Sequence, residues 1–190
     1  AVLKTAAQLA QDALGYSGSD YVFDGSMERN FERAFPAFAD FAVGMFDGGV
    51  LKQRRLRQPL FVKTPEIGND PAKARERIGQ QLNLGVSGIV FVDVKSADEV
   101  KQGLAMMRFA SKGGTRADSV GSAPQRWGMN EKEYREKADL WPLNPRGELV
   151  NFTIVESTEG LAKVREIGAV KGIGVLFPGA GTLRGVFSTT

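Results

Sequence analysis

Short apolar runs alternate along the chain with longer amphipathic stretches. Runs this rich in Val, Ile and Phe are typical of strands that are buried on both faces, and their alternation with helical stretches indicates βα units and a parallel sheet. Five such runs occur, at Tyr21 to Phe23, Leu60 to Val62, Gly88 to Val94, Leu149 to Val155 and Gly172 to Phe177. The pattern therefore predicts five parallel strands in an α/β fold.

The stretch between the second and third runs has clear helix start and stop signals. Asp70 is a good N-cap residue, and Pro71 suits the first helical position. Apolar residues then recur at every fourth position from Ala74, which places them on one face. We expect a helix that runs to Leu84 and is ended by Gly85.

Two later stretches begin with the signature of a capping box, in which a polar N-cap residue is followed three residues later by Glu. Ser96 with Glu99 is the first, and Asn130 with Glu133 is the second, directly before a helical stretch at Tyr134 to Leu140. Each pair predicts the start of a helix.

Two further helices and one long loop complete the predicted organisation. One helix is expected from Ser157 or Thr158 to about Ile167, and another from Thr5 to Leu14. The segment Ser111 to Asn130 contains several Gly and Pro residues, so it is predicted to be a long loop. Long loops in compact domains are usually functional or mobile.

A group of Phe residues follows the first apolar run. Spacings of four and three place the first four of them on one helical stripe, which is typical of a core or of a subunit interface rather than of a cofactor site. These residues are Phe31, Phe35, Phe38, Phe41 and Phe46.

Five βα units are fewer than a complete (β/α)8 barrel contains, since that fold has eight strands and about 250 residues. The chain has 190 residues. We interpret residues 1–190 as one domain, an incomplete (β/α)8 TIM barrel. The remaining strands are expected to be encoded before Ala1 and after Thr190.

Composition limits the chemistry that the chain supports. Cys is absent, which excludes disulfides, thiolate catalysis and zinc-thiolate sites, and His is absent as well. Since His is the commonest general base near neutral pH, any proton transfer must use a carboxylate, lysine, tyrosine or water.

Charge and hydropathy indicate neither a nucleic-acid partner nor a membrane span. The net charge of +3 is too small to indicate a nucleic-acid partner. The basic cluster from Lys52 to Arg57 lacks the interleaved aromatic residues of a single-strand binding site, so we interpret it as a solvated loop. No apolar run reaches the roughly 20 residues of a membrane span. We expect a soluble, cytoplasmic protein, although a signal peptide already removed would leave no trace.

Several motifs, taken in chain order, resemble the HpcH/HpaI aldolase and citrate lyase family over roughly residues 5 to 187. The motifs are Gly18-Ser-Asp-Tyr-Val-Phe-Asp-Gly25, Pro59-Leu-Phe-Val-Lys-Thr-Pro65, Gly85-Val-Ser-Gly-Ile-Val-Phe-Val92 with Ser96-Ala-Asp-Glu99, Gly114-Thr-Arg116, Gly121-Ser-Ala123, Glu156 at a strand end and Gly174-Val-Leu-Phe-Pro-Gly-Ala180. The resemblance implies a metal-dependent lyase that makes or breaks the carbon–carbon bond next to pyruvate or a related 2-oxo acid, with an aldehyde as the second reactant.

The resemblance also implies a set of site residues. Glu156 is expected to hold Mg2+ or Mn2+, because hard carboxylate oxygens suit these ions. Lys63 is expected to bind substrate charge, and Asp24 or Glu28 to relay a proton through water. The residues themselves, apart from the resemblance, offer an anion site: Arg116, with the backbone N–H groups of Gly179 and Ala180, is expected to bind the substrate's anionic group, with Arg126 as a further candidate. The alternative is that both arginines lie on a solvated loop.

The sequence departs from the family pattern at five positions. Gly181 occupies the position where the second metal-binding Asp is expected, so a bound ion would need Asp24, Glu28, Glu66 or Asp93, or would depend on Glu156, water and substrate. The other departures are Ser26 and Met27 in place of an acidic residue and His, Lys63 in place of Arg, and Ile154 in place of Gln.

Two alternatives therefore stay open. One is a degenerate barrel that binds a small carboxylate without turnover. The other is a lyase of the citrate lyase type acting on an acyl-CoA thioester, whose phosphates would meet the basic loop. In each case the resemblance implies a homo-oligomer.

Overall fold

The computed structural model of the chain describes Thr5, Gln8 and residues 22–24, 27–48, 51–52, 55–56 and 59–188. Five parallel strands form its centre, in the order in which they occur along the chain. They are β1 (Val22–Asp24), β4 (Leu60–Thr64), β5 (Gly88–Phe91), β7 (Leu149–Val155) and β8 (Val175–Pro178). Each of them coincides with a predicted apolar run, so the five predicted strands are confirmed.

Three short strands were not predicted. β2 (Leu51–Lys52) and β3 (Arg55–Leu56) form a separate antiparallel pair within the basic segment. β6 (Leu140–Trp141) pairs in parallel with the first residues of β7. Two-residue strands bury too little apolar surface to give a periodic signal.

Helices connect the strands and pack on one side of the sheet. They are α1 (Phe31–Gly48), α2 (Pro71–Asn83), α3 (Ala97–Met107), α4 (Ala123–Arg126), α5 (Glu131–Lys137), α6 (Thr158–Ala162), α7 (Val164–Gly168) and α8 (Ala180–Ser188). Within the described ranges, none of the helices combines the length and apolar character that a membrane span requires.

The predicted start signals of α2, α3, α5 and α6 are confirmed, but two helix extents were wrong. Asp70 accepts a hydrogen bond from the Lys73 amide, as expected of an N-cap. The helix expected at Tyr134 to Leu140 is α5, which ends at Lys137 because the chain then enters β6. The helix expected to reach Ile167 is divided at Lys163 into α6 and α7. The predicted helix from Thr5 to Leu14 lies outside the described residues, apart from Thr5 and Gln8.

The two faces of the sheet bury different residues because side chains alternate along each strand. Leu60 and Val62 of β4 face the helices, within a large core that also takes in Phe31 and Phe38 from the aromatic stripe of α1. The other face carries a smaller apolar cluster made by Phe61, Val90, Val92 and Ile154. In a TIM barrel this second face is the barrel interior.

Candidate active site at the carboxyl ends of the strands

Lys63 and Glu28 form an ion pair at the carboxyl end of β4. Lys63 Nζ lies 2.5 Å from Glu28 Oε2, and the two side chains are 18% and 31% exposed. Lys63 follows Phe61 on the inner face of the sheet by strand alternation. Glu28 lies in the turn before α1. Two residues expected in the site, 35 positions apart in sequence, are therefore in direct contact.

Gln81 of α2 holds the turn that carries Glu28 against the strand that carries Lys63. Its side-chain nitrogen donates a hydrogen bond to the Lys63 carbonyl at 2.8 Å and lies 3.6 Å from the sulfur of Met27. Gln81 and Met27 are both fully buried. The ion pair thus rests on a fixed, buried support.

A second charged group lies where β4 and β5 end. Lys95 Nζ bridges Glu66 Oε2 at 2.9 Å and Asp93 Oδ2 at 3.0 Å. The hydrogen bond that Lys95 donates to Glu66, followed by the one it donates to Asp93, raises the pKa of Lys95. Lys95 therefore stays an ammonium group at neutral pH, which makes it a fixed cation and a poor amine nucleophile.

Asp93 has an unusual backbone and an unpaired oxygen. Its φ is +43°, a left-handed conformation that is uncommon for residues other than Gly. Its Oδ1 atom is buried without a hydrogen-bond partner. Strained residues and unpaired buried polar atoms concentrate at functional sites, so Asp93 is a strong candidate for a functional side chain.

Glu99 fixes the two loops that carry this group. One of its oxygens accepts the Gly68 amide at 3.1 Å and the other accepts the Lys95 amide at 2.9 Å. Ser96 caps α3 as predicted, through the Glu99 amide. The other contact of the expected capping box, from Glu99 back to the N-cap residue, was predicted wrongly. The Glu99 carboxylate instead accepts the two loop amides, which lie outside the helix.

Glu156 follows β7 directly and links the ends of three elements. Its Oε1 accepts the Asp93 amide at 3.1 Å, and its Oε2 accepts the Thr182 hydroxyl of α8 at 3.1 Å. Gly179 allows this close approach, since a Cβ atom there would lie 2.4 Å from the Glu156 Cβ. The loop after β5, the end of β7 and the first turn of α8 therefore meet at one carboxylate.

We expect Gly179→Ala to destabilise the protein by about 1–3 kcal/mol, because the added methyl group must displace Glu156 or the backbone of β8. Urea unfolding measures the change. Gly181→Ala is the matched control, since a Cβ atom at Gly181 meets nothing within 4 Å. Equal stabilities of the two variants would contradict the close packing of Gly179 on Glu156.

Solved structures with this arrangement of strands and helices exist. A HpcH/HpaI aldolase/citrate lyase family protein from Burkholderia cenocepacia J2315 is 19% identical, with a TM-score of 0.67 over 95% of this chain and 63% of that chain. A HpcH/HpaI aldolase from Desulfitobacterium hafniense DCB-2 is 14% identical, with a TM-score of 0.69 over 98% of this chain and 62% of that chain. The fold is that of the HpcH/HpaI aldolases.

The same fold is found in the citrate synthase SbnG, which is 17% identical with a TM-score of 0.65 over 96% of this chain and 60% of that chain. This chain thus spans about three fifths of the length of the structures it matches. No protein-family model and no curated protein sequence matches it. The fold implied by the resemblance, a TIM barrel represented by about five βα units, is confirmed. The different names of these proteins illustrate that a fold alone does not fix the reaction.

Within the HpcH/HpaI fold, Lys63 and Glu156 lie at the same end of the sheet, but they are not adjacent. Lys63 pairs with Val90, and Val90 pairs with Phe152. Glu156 therefore lies two strands away from Lys63, roughly 10 Å across the sheet, and four residues further along its strand. Asp24 ends β1 at the same end, and its side chain lies outside the described residues.

Arg116 does not join these residues. It is 2% exposed, donates to Asn83 Oδ1 at 3.2 Å and to the Tyr134 hydroxyl at 3.0 Å, and lies over the Phe109 ring at 4.3 Å. Since Asn83 ends α2 just before β5 begins, Arg116 is at the amino end of the sheet. Its expected contact with substrate is wrong, because the long loop folds back and buries the guanidinium.

Arg126 lies at the amino end as well. Its Nη1 donates to the Leu84 carbonyl at 2.6 Å, and its guanidinium lies 5.0 Å from the centre of the Phe46 ring. Neither arginine of the predicted loop is near the carboxyl ends of the strands. The structure thus offers no support at this loop for the CoA phosphates of the acyl-CoA alternative.

The two backbone donors after β8 differ from each other. The Gly179 amide donates to the Val155 carbonyl at 2.9 Å, so it is not available to an anion. Ala180 begins α8, where the first amides have no partner within the helix. The expectation of an anion contact is therefore wrong for the Gly179 amide and stays a prediction for Ala180.

Sequence reasoning did not anticipate the roles of Lys95, Gln81, Glu99 and Thr182. Lys95 carried the same signal as Lys63, a lysine near the end of an apolar run. The other three are polar residues on helices, and their contacts depend on how the helices pack.

Proposed function

We propose that the chain supplies the active site of a carbon–carbon lyase that acts on a 2-oxo acid such as pyruvate, with an aldehyde as the second reactant. The observation that carries the proposal is the hydrogen bond from the Asp93 backbone amide to the Glu156 carboxylate at the carboxyl ends of the strands, in the fold of HpcH/HpaI aldolases. TIM-barrel enzymes place their chemistry at this end. The Lys63–Glu28 pair lies at the same end.

A divalent cation would be held by the carboxylates of Glu156 and Asp93. Their elements are in contact, and Asp93 Oδ1 is buried without a partner, which a cation would provide. In the described part of the chain, no three acidic residues gather into a metal-binding group. Mg2+ needs only one or two carboxylates, since it retains water and binds substrate oxygens. When bound, Mg2+ or Mn2+ would stabilise negative charge that develops on a 2-oxo acid.

Lys63 and Glu28 are suited to substrate binding and proton transfer. In the cleavage direction, the substrate hydroxyl loses a proton as the carbon–carbon bond breaks, and the carbon that becomes the methyl group of pyruvate gains one. Glu28, directly or through water, is positioned to carry a proton, with Asp24 as a second candidate. Lys63 holds Glu28 in place and supplies positive charge for the substrate carboxylate.

Proton exchange at the methyl group of pyruvate in D2O tests this function without knowledge of the aldehyde. We expect NMR to detect deuteration that depends on Mg2+ or Mn2+ and stops with EDTA. Glu156→Gln should slow exchange about 100-fold, because it weakens the metal site. Glu159→Gln is the control, since Glu159 is exposed and pairs with Lys163 on the surface. Exchange that is unaffected by Glu156→Gln would refute the assignment.

A barrel that binds a small carboxylate without turnover is the second candidate. It is favoured by Gly181 in place of the expected Asp. Pyruvate binding by calorimetry, without methyl exchange under any metal condition, would support this alternative.

A further inference from the structure

A cationic cavity lies away from the candidate active site, near the amino end of β7. It has a volume of about 520 Å³, within the roughly 300–1,000 Å³ that small-molecule pockets occupy. Four basic residues line it, together with two carboxylates and one amide. They are Arg108, Lys112, Lys137, Arg146, Glu136, Asp139 and Asn144.

Two of the cations are already neutralised. Arg108 forms two hydrogen bonds with Asp139, at 2.6 and 3.3 Å. Lys137 pairs with Glu148 at 3.0 Å. Arg108 and Lys137 therefore line the cavity as paired cations and are less available to a ligand.

The other two cations, Lys112 and Arg146, have no carboxylate within ion-pair distance among the described residues. Lys112 Nζ donates to the backbone carbonyl of Glu136 at 2.7 Å, which leaves two of its three donors free. Burial lowers the pKa of Lys112, Asp139 opposes that shift, and Arg108 adds to it. A partly desolvated ammonium group that faces other cations is stabilised by an incoming anion.

We propose that this cavity binds the phosphate group of a small anion, with Lys112 and Arg146 as its principal contacts. A phosphate offers several acceptor oxygens to one ammonium and one guanidinium group, in charge-assisted hydrogen bonds. The volume leaves room for more than a single phosphate group, so free phosphate and a phosphate ester are both possible sources. Because the cavity lies at the opposite end of the strands from Glu156, its ligand does not take part in the lyase reaction.

Calorimetric titration with inorganic phosphate, pyrophosphate and ADP, at constant ionic strength, tests the proposal. We expect saturable binding of at least one probe below about 10 mM. Phosphate bound as tightly as ADP would identify the free anion as the ligand, whereas tighter binding of ADP would identify an ester.

Four variants separate a ligand site from a structural cluster. Lys112→Gln should weaken binding about tenfold and Arg146→Gln about fivefold, because each removes a charge-assisted contact. Glu136→Gln should tighten binding about threefold, since it removes a negative charge from the cavity and leaves the carbonyl bound by Lys112 intact. Lys132→Gln, an exposed residue on α5 outside the cavity, should change nothing.

Lys112 also has a structural role, because its bond to the Glu136 carbonyl satisfies the end of α5. Arg146→Gln and Glu136→Gln lack that complication. The proposal fails if no probe binds saturably, or if Arg146→Gln and Glu136→Gln bind as the unaltered protein does. Neither outcome affects the lyase proposal, which is tested by methyl exchange.

Discussion

Lys63→Met is expected to slow the metal-dependent exchange of pyruvate methyl protons about 100- to 1,000-fold. Two losses combine in this variant. The substrate carboxylate loses a cation, and Glu28 loses the partner that holds it 2.5 Å away. A well-positioned acid or base typically contributes two to four orders of magnitude in rate, roughly 3–5 kcal/mol of barrier, and a misplaced Glu28 would lose part of that contribution.

The fold should survive this change, because a partly exposed ion pair contributes about 1 kcal/mol or less. Lys63→Arg keeps the charge and should retain more activity than Lys63→Met. The activity that Lys63→Arg loses should appear mainly as a higher KM, since the guanidinium is larger and differently shaped. Lys73→Met is the control, because Lys73 pairs with Glu32 on the exposed side of α2. Exchange by Lys63→Met at the rate of the control would show that Lys63 does not act in the site.

The central strands were predictable because their signal is local and redundant. β4, β5 and β7 are short runs of Val, Ile, Leu and Phe, and burial on both faces of a parallel sheet requires such runs. The ends of α2 were predictable for the same reason, since Asp70 and Gly85 act within one helical turn. Local signals of this kind do not depend on the rest of the fold.

The arginines of the long loop were not predictable, because their position depends on the path of the chain. In the sequence, Arg116 follows two glycines on a long loop, which suggests a residue that binds an anion. In the structure it is buried beside Phe109 and Tyr134. Burial lowers the pKa of Arg116. Residue spacing along the sequence does not distinguish an arginine that is buried at the amino end of the sheet from one that contacts a ligand.

The candidate site was predictable in its location but not in its detailed contacts. Parallel strands bring their carboxyl ends to one edge, so the common location of Lys63 and Glu156 followed from the fold. Their detailed partners did not follow. The bridging of Glu66 and Asp93 by Lys95 depends on Asp93 adopting a positive φ, which nothing in the sequence indicates.

Asp139→Asn is expected to destabilise the protein by about 3–5 kcal/mol, the cost of breaking a buried ion pair from one side. The Asp139 side chain is 3% exposed and accepts hydrogen bonds from Arg108, from Asn144 at 3.0 Å and from the Leu140 amide at 3.0 Å. Asparagine has nearly the same shape but cannot balance the Arg108 charge. Urea unfolding at neutral pH measures the loss.

The pH dependence of this loss gives a second test. Burial alone would raise the pKa of Asp139, but the hydrogen bonds from Arg108, Asn144 and the Leu140 amide outweigh it, so the pKa is lowered in the folded protein. A lowered pKa stabilises the fold above the unfolded value of 3.8, and this contribution is lost as the pH falls through the folded value. The difference in unfolding free energy between the unaltered protein and Asp139→Asn should therefore shrink below about pH 4.

The control is Asp98→Asn, in an exposed pair with Lys101, which should leave the neutral-pH unfolding midpoint unchanged. A difference for Asp139→Asn that is constant down to pH 2 would show that the carboxylate's charge is not what stabilises this part of the fold.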